Sequence, residues 1–259
     1  MRKFFVFVFV VLSVFTFSEI LSIEELNLEK FQPKYSLIPY EVLKNNNGKN
    51  GNDTWIAVNG IVYDVTYLKD WKNGKHKGYE AGKDLTYEIT ELSPHGLGKL
   101  EKAETVGYLI FTFEELKKFN GKNGNKAYVA VNGIVYDVTH SKLWKNGEHK
   151  GQHEAGMDLT YEITELSPHG LKKLDKVYPV GILALDLKEL KKFNGKNGNK
   201  AYVAVNGVVY DVTHSKLWKN GEHKGQHEAG MDLTYEITEL SPHGLKKLEN
   251  VYKIGLLIK

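Results

Sequence analysis

Cysteine is absent from the 259 residues. That one absence removes disulfide staples, thiolate-ligated zinc, iron–sulfur clusters and thioether-linked haem together. Strong charge of either sign is missing as well. Lys and Arg number 35 against 32 Asp and Glu, a net +3 to which Arg2 and Lys3 contribute. No basic face able to hold a polyanion is expected, so nucleic acid is not a predicted partner. Proline is scarce, at six residues, and no Pro/Ser-rich stretch reads as an extended linker. Also lacking are a G-x-S-x-G elbow, a phosphate-cradling G-x-x-x-x-G-K-[ST] and a Rossmann G-x-G-x-x-G set between strand and helix. The expectation is a chain that binds rather than one that turns over a substrate.

One long apolar run is present. Met1-Arg2-Lys3 followed by Phe4 to Phe17 has the charge-then-apolar layout of a secretory signal peptide, here over residues 1–22. The run falls short of the roughly 20 residues that span a bilayer. Export is therefore predicted, to a secreted or extracytoplasmic location, with membrane tethering through the N-terminus if the segment is not cleaved. Residues 23–39 follow as a Glu-rich leader or linker. The rest is globular in composition, 41% hydrophobic and 26% charged.

Internal repetition dominates that remainder. Glu115–Tyr178 returns 74 positions on as Glu189–Tyr252, differing only at Ile134/Val208, Asp175/Glu249 and Lys176/Asn250. A more diverged copy precedes both, matching WIAVNGIVYDVT to YVAVNGIVYDVT and AGKDLTYEITELSPHG to AGMDLTYEITELSPHG. The period exceeds that of ordinary solenoid repeats, usually about 20–50 residues, and approaches an independent small domain. Three domains are expected, at 40–110, 113–184 and 187–259, as beads on a string whose short joints near Gly107–Glu114 and Gly181–Lys188 leave neighbours touching or with limited freedom.

Within one repeat, Glu115–Phe119 reads as helix, ended by the turn-rich run Asn120–Asn125. Tyr128–Val131 and Ile134–Val138 are β-branched and aromatic around Asn132-Gly133, the pair suited to a type I′ hairpin turn. Asp158 suits the N-cap of a short helix. Ser167-Pro168 opens another, which puts His169 in its first turn. The fold class is α+β, three tandem small domains, each a β-hairpin-containing sheet with short helices that form a ligand cleft.

Histidines carry the candidate chemistry. The later repeats hold His140, His149, His153 and His169, and His214, His223, His227 and His243; the first holds only His76 and His95, aligned with His149 and His169. Tyr67 replaces His140, and Tyr79 stands at or beside the place of His153. The shared equipment is one histidine in W-K-N-G-x-H-K-G and one in S-P-H-G. Neutral imidazoles approaching from two sides of a cleft are a means of gripping haem iron. His140 and His214 read as solvated surface groups. His149 and His153 form an H-x-x-x-H pair, but Gly151 between them argues against a zinc-binding helix. Trp144, Tyr136 and Tyr161 are candidate pocket walls.

The stretch A-Y-V-A-V-N-G-I-V-Y-D-V-T resembles the central hairpin of the cytochrome b5 family. A-G-M-D-L-T resembles its A-G-x-D-x-T helix start, and His169 falls where the second axial histidine is expected. The likeness covers all three repeats and looks closest to the short bacterial heme/steroid-binding-like branch. It implies non-covalent haem b, and not necessarily in every repeat, held through His76, His95, His149, His169, His223 and His243. The H-P-G-G motif that carries the first axial histidine of ordinary cytochrome b5 is absent, so Tyr79, His153 and His227 stand as alternative first ligands. Two readings follow: a b-type electron carrier with a redox partner protein, or a non-redox module for a sterol-like or other small hydrophobic ligand, or for adhesion through linked copies.

Overall fold

A computed structural model describes residues 36–259. The segment expected to be a signal peptide and most of the expected leader lie outside the described residues. In the first repeat β1 (Ser36–Pro39) leads into α1 (Tyr40–Asn45), the hairpin β2 (Trp55–Val58) and β3 (Ile61–Asp64), and the small hairpin β4 (Lys75–His76) and β5 (Tyr79–Glu80). A π-helical turn (Glu88–Leu92) and a 3₁₀ segment (Gly96–Lys102) then run into β6 (Glu104–Phe111). The second repeat has α2 (Phe113–Leu116), β7 (Tyr128–Val131) and β8 (Ile134–Asp137), then β9 (Trp144–Lys145), β10 (Glu148–His149), β11 (His153–Glu154) and β12 (Met157–Asp158). Its helical turns are Glu162–Leu166 and Gly170–Lys176, and β13 (Tyr178–Leu185) closes it. The third runs α3 (Leu187–Leu190), β14 (Tyr202–Val205), β15 (Val208–Asp211), β16 (Trp218–Lys219), β17 (Glu222–His223), β18 (His227–Glu228), turns at Glu236–Leu240 and Gly244–Asn250, and β19 (Tyr252–Leu257). The class is α+β, as the sequence predicts.

The hairpin forms because Asn132 and Gly133 adopt φ of 50° and 79°, the positive pair that a type I′ turn demands, with Val131 opposite Ile134 and Tyr128 opposite Asp137. The helix expected over Glu115–Phe119 sits two residues earlier. Thr112 Oγ1 accepts the Glu115 N–H at 3.1 Å while Glu115 Oε2 accepts the Thr112 N–H at 2.8 Å, so Glu115 is the third residue of a capping box rather than a helix start. The last helical segment is 3₁₀ and begins at Gly170, leaving His169 at its cap instead of in its first turn. Asp158 is not the expected N-cap: it ends the strand β12, buried, and its Oδ1 accepts the Thr160 N–H at 3.2 Å and hydroxyl at 2.6 Å, while the turn Glu162–Leu166 has Tyr161 at its cap and no side-chain cap bond.

The joints correct the beads-on-a-string expectation. The first half of β13 pairs antiparallel with β8, and its Ile182 and Leu183 run parallel to Ile110 and Phe111 of β6. Its last residues, Ala184 and Leu185, run parallel to Leu256 and Leu257 of β19. β6 does the same one repeat earlier, with Ser36–Pro39 parallel to Gly107–Ile110. Residues 36–39 are therefore a strand of the first repeat's sheet and not part of a leader. Each closing strand of one repeat opens the next, and 11 of the described strands merge into one sheet, while the small hairpins of the three repeats stay apart as separate two- and three-stranded sheets. The physical reason is apolar content. Leu109, Phe111, Leu183 and Leu185 are fully buried in one core cluster that runs from Ile38 to Ile254, and such residues cannot line an exposed linker without losing roughly 1.5–3 kcal/mol each.

Candidate functional site

The motif W-K-N-G-x-H is itself a hairpin. Asn146 and Gly147 take φ of 52° and 75°, again a type I′ turn, and set Trp144 directly opposite His149 across β9 and β10. Directly opposed residues share a face of the ribbon. Their rings accordingly meet edge-on with centroids 5.5 Å apart, and Trp71 with His76 and Trp218 with His223 meet at the same spacing with their planes tilted by 32° and 44°. The hairpin is pressed against the loop at Asn120: a Cβ on Gly147 would lie 1.7 Å from the Asn120 carbonyl oxygen. The second histidine is placed by S-P-H-G. Ser167 Oγ accepts the His169 N–H at 3.3 Å, and Gly170 then turns at φ 51° into the 3₁₀ segment.

His149 and His169 line one cleft of about 450 Å³, with Val129, Val138, Leu143, Trp144, Ile163, Leu174 and Val177 as its apolar walls. His76 and His95 line the corresponding cleft of the first repeat, about 520 Å³, with Ile56, Val65, Trp71, Ile89 and Leu100. Both volumes suit a small organic ligand. The alternative first ligands sit elsewhere. Tyr79 pairs with His76, and His153 with His149, on the far strand of the small hairpin, which settles that these two positions correspond; neither lines its cleft. His227 holds the same place opposite His223. Trp144 is a cleft wall as expected. Tyr136 is buried in the core, its hydroxyl pushed up to about 12 by burial with Asp175 adding to it, and Tyr161 stacks on the following repeat instead.

Two features make the hairpin histidine fit to ligate a metal. Nδ1 of His76 donates to the Asp70 carbonyl at 2.9 Å and Nδ1 of His223 to the Leu217 carbonyl at 3.1 Å, which orients each ring and leaves Nε2 as the nitrogen outside that bond. Burial also holds His149 and His223 below the ordinary imidazole range; His153 and Lys150 add to it for the first, while the Leu217 contact opposes it for the second. Burial favours the neutral, ligating form, and the carbonyl contact fixes the ring's orientation. His95, His169 and His243 are exposed. Among the described residues no cluster of three or more His, Asp or Glu could hold a metal ion by side chains alone.

A cationic rim escaped the sequence reading. Lys142, Lys150, Lys173 and Lys176 line the second cleft, and Lys69, Lys77, Lys99 and Lys102 line the first. These are equivalent positions, and the repeat alignment carries that signal. An apolar slot with two imidazoles and a ring of ammonium groups fits a flat apolar group that carries carboxylates, which describes haem.

Residues 39–110, 112–184 and 186–258 each match the family model described as "Cytochrome b5-like Heme/Steroid binding domain". The chain belongs to that family. Its three repeats are modules of a kind that binds haem or steroid. Among solved structures it is similar to a cytochrome b5 domain protein from Hadesarchaea (47% identity over 29% of this chain and 97% of that one, TM-score 0.28). Another is a cytochrome b5 domain protein from Methanococcoides burtonii (50% identity, 29% and 95%, TM-score 0.28). Among curated proteins none matches. Within the described residues no helix is long and apolar enough to cross a membrane.

Proposed function

We propose that this cytochrome b5-like chain is a non-enzymatic electron carrier of the extracytoplasmic space, holding haem b through His76 and His95, His149 and His169, and His223 and His243. The observation that carries the reading is the convergence, in the first and second repeats, of the two shared histidines on one apolar, lysine-rimmed cleft; the third repeat has the same two histidines in the same motifs. Haem supplies one-electron chemistry when bound; the protein's part is to bind and orient it. In this reading the hairpin imidazole presents Nε2, fixed by its backbone carbonyl, and the apolar walls exclude water. The lysines receive the carboxylates, and the redox partner meets the exposed edge of each cleft.

Haemin titration of the chain followed by ultraviolet–visible absorption tests this. A Soret band saturating at up to three equivalents is expected, falling by one equivalent for each of His95→Ala, His169→Ala and His243→Ala. Loss of one equivalent with His153→Ala and none with His149→Ala would reassign the first ligand. No specific band in the unaltered chain would sink the haem reading and leave a colourless hydrophobic-ligand module.

A further inference from the structure

The two junctions between repeats are built from the same parts. At the first, Tyr87 stacks on His140 with ring centroids 3.5 Å apart and planes 14° apart. Lys126 Nζ lies 3.3 Å from Asp84 and 3.4 Å from Glu88, the Tyr128 hydroxyl donates to Asp84 at 2.9 Å, and the Tyr178 hydroxyl donates to Glu91. At the second, Tyr161 stacks on His214 at 3.7 Å, Lys200 stands 3.6 Å from Asp158, Tyr202 donates to Asp158 at 3.4 Å, and Tyr252 donates to Glu165. One repeat offers acids and a tyrosine; the next receives them with a lysine, two tyrosines and a histidine. His140 and His214 are exposed, as the sequence suggests, and each also stacks on a tyrosine of the preceding repeat at a junction.

The third repeat still carries the offering set, Asp232, Tyr235, Glu236 and Glu239, and among the described residues nothing covers it. Asp232 is exposed where Asp84 and Asp158 are 4% and 5% exposed, and Tyr235 is 64% exposed. The first repeat has the other outward face, but with different residues. Strand register puts Trp55 in the place of Tyr128, opposite Asp64 as Tyr128 is opposite Asp137, and Glu104 in the place of Tyr178. Asp53 replaces Lys126 and Tyr67 replaces His140. A second copy docking head to tail would set Asp53 against Asp232 and Glu104 against Glu239. Like charges brought together in this way oppose association.

We infer that the outer face of the third repeat around Tyr235 docks another cytochrome b5-like domain bearing the lysine, tyrosine, histidine, tyrosine set. The first repeat is charge-reversed at those positions, so copies of this chain do not fill that face. The inference needs no haem, so it stands or falls separately from the functional reading. The observations also assign a purpose to the divergence of the first repeat: a heterologous contact of this kind does not close on itself, and an uncapped array would grow into filaments.

The test uses the full chain. A variant carrying Asp53→Lys, Trp55→Tyr, Tyr67→His and Glu104→Tyr, with Tyr235→Ala and Glu239→Lys to disable its own outer face, is mixed with the unaltered chain in sedimentation velocity. Concentrations run toward the millimolar range that linked modules experience. A 1:1 complex is expected, lost when the partner carries Tyr235→Ala and Glu239→Lys, with the unaltered chain monomeric alone. A folded variant that forms no complex, or an unaltered chain that self-associates through Tyr235, overturns the inference. Should the variant not fold, residues 186–259 appended once more after Lys259 leave the first repeat untouched. Amide protection over 232–239 should then rise to that of 158–165, and protection unchanged by the added repeat would refute the docking face.

Discussion

At the scale of single residues, the ligand cleft depends on a backbone contact that no side chain can replace. Gly147 holds φ 75° with the Asn120 carbonyl where its Cβ would be, and Gly74 and Gly221 do the same against Asn47 and Asn194. Gly147→Ala meets both the left-handed penalty, about 1–2 kcal/mol, and a clash with backbone that cannot rotate away. A loss of at least about 2 kcal/mol in urea unfolding is expected, with weaker haemin uptake in that repeat alone. Gly151, with open space around it, should cost only the backbone penalty when changed to Ala. A second residue-scale effect is titration. His149 and His223 are held below the reference value of 6.5 by burial. The unfolded chain therefore binds more protons than the folded one between the lowered value and 6.5. Stability of the haem-free protein should rise with pH through that window, and below it these two imidazoles contribute no further pH dependence. His149→Gln with His223→Gln should flatten that slope; an unchanged pH profile of the melting temperature would show that these imidazoles carry no such linkage.

At the scale of elements, each junction rests on one partly buried lysine. Burial alone would lower the Lys126 ammonium, but Asp84, Glu88 and Asp137 outweigh it and hold it above its ordinary value. Burial raises the Asp137 carboxyl, so the lysine is what keeps two buried acids tolerable. Lys126→Met should cost about 3 kcal/mol, because it strands Asp84 and Asp137 in the interior. Adding Asp84→Asn should recover part of that loss, and a double mutant as unstable as the sum of the singles would deny the coupling. These junctions also show what was legible in the sequence. The hairpins were, since Asn-Gly between β-branched runs has one comfortable solution, and so was the placing of His149 and His169 on one cleft through repeat comparison. The shared strands were not read, although the signal existed: Tyr108–Phe111 and Ile182–Leu185 are continuous apolar runs unsuited to exposed joints. The Tyr87–His140 stack could not have been read from either residue. His140 is exposed as a histidine in a polar stretch should be, and nothing near it in sequence announces the tyrosine 53 positions away that stacks on it.

At the scale of the whole molecule, the repeats are coupled unequally. The inner clusters of the first two fuse into one, which holds Ile56, Tyr63, Val129 and Tyr136 together. The third keeps a separate inner cluster, Val203, Val205, Val208 and Tyr210 among it, and reaches the rest through the outer core and the shared strand β13. Its junction is also thinner. Lys200 has Asp158 at 3.6 Å where Lys126 has Asp84, Glu88 and Asp137 within 3.8 Å. In a linear array, stability is close to a sum of repeat and nearest-neighbour terms, so the unit with the weakest interface opens first. Native-state hydrogen exchange should therefore show β14, β15 and the end of β19 opening together, at lower free energy than β2, β3, β7 and β8, which open as a second unit. Because the last two repeats are nearly identical in sequence, any difference between β7–β8 and β14–β15 reports interfaces rather than composition. Equal protection of the two hairpins would mean that β13 transmits enough stability to make all three repeats a single cooperative unit.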